Sequence, residues 1–76
     1  MLQNYHYKLM RERDLKHWAE IAPNDKIALD YFSKKIGEQL ENCEEPNMYS
    51  MEKSKIDSNG VVALDILDRV FVRRRS

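Results

Sequence analysis

A single cysteine, Cys43, in a chain of 76 residues leaves no intramolecular disulfide to staple the fold. A chain this short buries only about 60% of the surface its unfolded form exposes, so it depends on a supplement: a disulfide, a structural metal or another chain. The zinc-type ligands besides Cys43 are His6 and His17, with no CxxC, no HExxH and no paired-histidine spacing. No metal and no cofactor is therefore expected. Association remains as the supplement, and the residues read as one small domain over 1–76 that completes its core against a copy of itself or a partner.

The strongest periodicity lies over 25–43. Ala28, Phe32, Ile36, Leu40 and Cys43 recur at helical spacing, with Ile27 and Tyr31 widening the stripe. Asn24 or Asp25 supplies an N-terminal cap. Gly37, inside this helix, suggests close approach by another helix. Over 4–22 a second helix is expected, with Tyr7, Met10, Trp18, Ile21 and Ala22 on one stripe and Leu2, Tyr5 and Leu9 on another. Pro46 ends the central helix. A weaker helical turn is expected near 50–56, then a turn at Asp57-Ser58-Asn59-Gly60.

The segment 61–72 reads two ways. Ala63, Leu64, Ile66, Leu67, Val70 and Phe71 cover a broad helical arc, whereas Val62, Leu64, Ile66, Val70 and Val72 alternate as a strand. Run length and the Ala and Leu content favour the helix. The expected fold is thus an all-α bundle of three main helices, about 4–22, 25–43 and 60–72.

Formal charge balances to zero with a pI of about 6.7. This argues against a chain whose main task is coating nucleic acid or an anionic membrane. The charge is unevenly placed, with Glu38, Glu41, Glu44, Glu45 and Glu52 in the middle and Arg69, Arg73, Arg74 and Arg75 near the end. No stretch is apolar enough to suggest a membrane span, no targeting segment is visible, and the cytoplasm is the expected compartment.

Four chemical motifs each have a simpler reading. Asp57 to Val62 partly matches a calcium loop, but Lys55 and Ile66 stand where ligands belong, so a turn is the better reading. Ser50-Met51-Glu52-Lys53 matches the S-x-x-K nucleophile pattern, without the surrounding cleft or oxyanion hole. His17 lies three residues from Asp14 and Glu20, as exposed solvated pairs on helices commonly do. A helix-turn-helix beginning at Ile36-Gly37 would put Glu44 and Glu45 where bases are read.

These readings converge on a small non-catalytic interaction or regulatory protein, not an enzyme, acting by binding a partner protein and expected to be a homodimer. The expected partner-binding residues are Trp18, Tyr5, Leu9 and Phe71, as aromatic and apolar anchors, with Arg73, Arg74 and Arg75. The competing class is a nucleic-acid-binding accessory protein that uses the arginine cluster for phosphate contacts.

Overall fold

Alternation, and not the helical period, governs most of this chain. The computed structural model describes residues 3–75, so Leu2 lies outside the described residues. In order the elements are β1 (Tyr5–Arg11), β2 (His17–Ala22), α1 (Asp25–Ile36), β3 (Leu40–Cys43), β4 (Tyr49–Ile56) and β5 (Val62–Arg74). The strands form one antiparallel sheet in the order β2-β1-β4-β5-β3, curled into a half-barrel. Helix α1 packs against β2 and β3, the two edge strands. It therefore lies across the open side of the curl, spanning from one edge strand to the other.

The expected all-α bundle is overturned, and "small helical protein" with it. The segment 4–22 is a hairpin. Tyr7 and Leu9 are wholly buried while Lys8 between them is exposed, the period of two that a half-buried strand requires. Trp18, Glu20 and Ala22 repeat that alternation on β2. The helical turn expected near 50–56 is the central strand β4, and 61–72 adopts the strand alternative. There the β-branched residues outweigh run length, because β4 offers a strand to pair with, regularly from Asp68 to Val72 and with bulges back to Val62.

The helix over 25–43 is real but shorter. Asn24 caps it, its side chain accepting the Ile27 N–H at 2.9 Å. Gly37 ends it in the left-handed conformation at φ +83°, and among the described residues nothing beyond its own chain neighbours and the helix backbone lies within 4 Å of where a Cβ would stand. Its role is therefore a helix stop, not the expected helix crossing. The Ser33 carbonyl accepts from both Gly37 and Glu38, while the Ser33 hydroxyl accepts the Leu40 N–H at 3.0 Å. These bonds turn the chain straight into β3.

The core lies between α1 and the inner face of the sheet. Ala28, Leu29 and Phe32 from the helix meet Tyr7, Leu9, Ala22, Leu40, Tyr49, Met51 and Val72 from the strands. Each fully buried large apolar side chain contributes about 1.5–3 kcal/mol. At one end of α1, the wholly buried Tyr7 donates its hydroxyl to Asp25 Oδ1 at 2.7 Å. At the other, Tyr49 donates to Glu38 at 3.2 Å. Two tyrosines of the sheet thus hold both ends of the helix.

Candidate functional site

The pairing of β4 with β5 is regular near the chain's end and breaks down towards the hairpin tip. Tyr49 faces Val72, Met51 faces Val70 and Lys53 faces Asp68; then Ser54 faces Ile66 and Ile56 faces Val62. Leu67 is thus extra on β5, and Ala63, Leu64 and Asp65 together stand opposite Lys55 alone. Bulges of this kind re-aim side chains and interrupt the ladder. Their result is an apolar segment turned outward. Leu64 is 99% exposed, Val61 62%, Leu67 47%, Ile66 46% and Val62 36%.

The tip that precedes this segment is firmly built. Asp57 Oδ1 accepts the N–H groups of Asn59 and Val61, both at 2.9 Å, and the Asp57 carbonyl accepts from Gly60. These bonds use Asp57 as turn architecture.

Val62, Leu64 and Ile66 line a hollow of about 330 Å3 on the outer face of the sheet, together with His6, Lys8, Glu52 and Ser54. Ile21, 50% exposed, stands opposite His6 in the register and extends the apolar area. A fully exposed Val, Leu or Ile side chain carries roughly 100 Å2 of apolar surface. Weighted by their exposures, these six side chains present about 340 Å2, the size at which a patch on a small protein is often functional. The patch is bordered by a charge ladder: Glu52 binds Lys8 at 3.6 Å and Arg69 at 2.6 Å.

β3 ends at Cys43 opposite Phe71, so it does not cover the bulged half of β5. The Arg69 N–H is taken by the carboxylate of Asp68 at 2.8 Å.

The sequence-expected partner-binding residues do not form one surface. Leu9 is wholly buried, and Tyr5 and Trp18 are half-buried against the core. Trp18 has two cations over its ring, Arg11 and Lys16, each 5.4 Å from the ring centre. Phe71 is half-buried, facing Ser50 on one side and Cys43 on the other. The arginines are zipped to the acidic middle of the same chain. Arg73 reaches Glu41 at 2.9 Å, Arg75 reaches Glu41 at 3.3 Å and Arg74 reaches Glu38 at 3.3 Å. The hydrogen bond from Arg73, reinforced by Arg75, holds the Glu41 carboxyl below its ordinary value. Leu64 and Ile66 were visible in the sequence as part of an apolar arc, and Val62 with them as part of a strand alternation. The arc could not show that a bulge turns them outward.

Two further clusters have structural explanations. Ser50 and Lys53 occupy opposite faces of β4, and Ser50 donates to Glu12 at 3.1 Å. The S-x-x-K pair therefore does not converge. Inside the curl, Lys53 lies 3.7 Å from Asp25 and 4.1 Å from the centre of the Tyr5 ring, directly opposite Asp68. Burial pushes the Tyr7 phenol well above its ordinary value, and the hydrogen bond and charge of Asp25 push it further. This cluster fastens the start of α1 to the sheet. Among the described residues, no three His, Cys, Asp or Glu side chains group as a metal site, and no helix is long and apolar enough to cross a membrane.

Comparison of the chain with protein-family models, curated proteins and solved structures finds no match, so the chemistry of its own surface is what bears on function.

Proposed function

We propose that this protein is a non-catalytic interaction module that binds a partner protein through the outward face of the bulged β5 segment. The observation that carries this reading is the 99% exposure of Leu64 among neighbouring exposed apolar residues. An apolar side chain held fully in water by a bulge gains free energy when a partner covers it. The nucleic-acid alternative has the arginine cluster as its basis. The pairing of Arg73, Arg74 and Arg75 with Glu41 and Glu38 puts carboxylates where phosphates would bind, which favours the protein-binding reading.

The test is a three-way affinity capture from the native host with immobilised wild type, Leu64→Asp and Leu15→Asp. Leu15 is 63% exposed in the β1–β2 turn, at the opposite end of β1 from His6, and serves as the control. Retention by wild type and Leu15→Asp with loss in Leu64→Asp is the expected outcome. Identical retained sets for all three would overturn the assignment of the face.

A further inference from the structure

We propose that the occupant of this face is a second copy of the chain, related by a twofold axis, with Leu64 of each copy seated in the outer-face hollow of the other. The proposal rests on the reading of this face as the docking surface and names its partner.

The first argument is geometric. The hollow of about 330 Å3 and the exposed Leu64 belong to one patch, since Leu64 itself lines the hollow beside His6, Ser54 and Ile66. A knob and hole on the same patch are satisfied together by a twofold axis, which closes after two copies. A knob and hole on separate faces would instead propagate into an open chain.

The second argument is charge. The charges that line the hollow, Lys8 and Glu52, bind each other, and Arg69 beside them also binds Glu52. Charges already paired within one copy do not repel a second. A strongly acidic or basic partner would find no net charge to read.

The third argument is area. About 340 Å2 of apolar surface per copy suits the core of a weak interface, below about 1,200 Å2 in total. Such an interface is weak and reversible.

Sedimentation equilibrium of the full chain from 5 µM to 1 mM tests this. The expected mass rises from the 9.1 kDa of one copy towards twice that value. Leu64→Asp is expected to weaken self-association at least tenfold. Because Leu64 touches little of its own chain, the melting temperature of the dilute variant stays at the wild-type value, which separates lost association from lost folding. In a sample mixing isotope-labelled and unlabelled copies, NOEs from the Leu64 methyls to Ile66 and His6 of the other copy are expected. A wild type that stays at 9.1 kDa up to 1 mM overturns the proposal. So does a dimer indifferent to Leu64→Asp, or one without those NOEs. If the wild type is monomeric yet captures another protein in a Leu64-dependent way, the twofold dimer falls and the docking face stands. If Leu64→Asp alters neither self-association nor capture, both fall.

Discussion

Replacing Tyr7 with phenylalanine removes one oxygen from the core and isolates the bond that holds α1 to the sheet. The ring is wholly buried and its hydroxyl donates to Asp25 at 2.7 Å. A hydrogen bond to a charged group contributes about 1.5–3 kcal/mol. The low end applies here, because the Asp25 side chain is 41% exposed and keeps Lys53 at 3.7 Å. Tyr7→Phe is therefore expected to lower stability by about 1.5 kcal/mol at pH 8, read by urea denaturation with circular dichroism.

The pH dependence supplies the stricter check. Burial and the Asp25 carboxylate raise the folded-state pKa of Tyr7 above the ordinary 10.0. A group raised in this way contributes stability that is fully present below pH 10 and is lost as pH climbs towards the folded value. Within that window the slope approaches about 1.4 kcal/mol per pH unit. The phenylalanine variant has no proton to lose at this position. The stability difference between the two proteins should shrink above pH 10 and fall to near zero at about pH 11. Measuring the difference cancels the titration of other groups. A gap that stays constant from pH 8 to pH 11 would refute the assignment of Tyr7 as the buried donor to Asp25, and so would no gap at pH 8.

Gly37→Ala is expected to destabilise by about 1 kcal/mol, since a left-handed residue with a Cβ costs about 1–2 kcal/mol and a stiffer unfolded chain returns about half of that. Calorimetry should show a melting temperature lower by roughly 4–8 °C, with Gly37→Asn closer to wild type. At Glu41, the carboxyl titrates below its ordinary 4.5 because Arg73 donates to it, with Arg75 adding to the effect. The stability linked to it is present above pH 4.5 and is lost as pH falls through the depressed value. Carboxyl carbon NMR should show the Glu41 midpoint moving up in Arg73→Ala; an unmoved midpoint would refute the pairing.

What the sequence made legible was local. Asn24, the Ala28–Phe32–Ile36 spacing and the Asp57–Gly60 turn each carry their signal within a few residues, and each appears in the structure. The hairpin over 5–22 did not announce itself. Its turn contains no Gly or Asn; Leu15 takes the positive φ of 60°, held by the bond from its N–H to the Arg11 carbonyl. Met10 and Ile21 on the outer face then filled gaps that made two strands look like one helical stripe. β4 was obscured because its outer face carries Ser50, Glu52 and Ser54, so only Tyr49 and Met51 mark it as central. At the surface, the uneven charge was legible but its internal cancellation was not, because Glu41 meets Arg73 only through the β3–β5 register. The bulges that expose Leu64 likewise depend on how β5 is measured against β4.

The strand order has a consequence for the timing of folding. β1 lies inside the sheet, yet its two neighbours come from very different distances along the chain: β2 follows after a five-residue turn, whereas Tyr5 meets Lys55 and Arg11 meets Tyr49. Local hairpins close within about 1–10 µs, but joining segments this remote first requires a large loop to close, which slows the reaction. During synthesis, the β1–β2 hairpin and α1 emerge well before β4. Until β4 arrives, one side of β1 has no strand beside it, and Tyr7 and Leu9 wait for much of the sheet that will bury them. Assembly is thus limited by a meeting of two hairpins at the centre, and substitutions along the β1–β4 seam should register in the folding rate before those at the edges do.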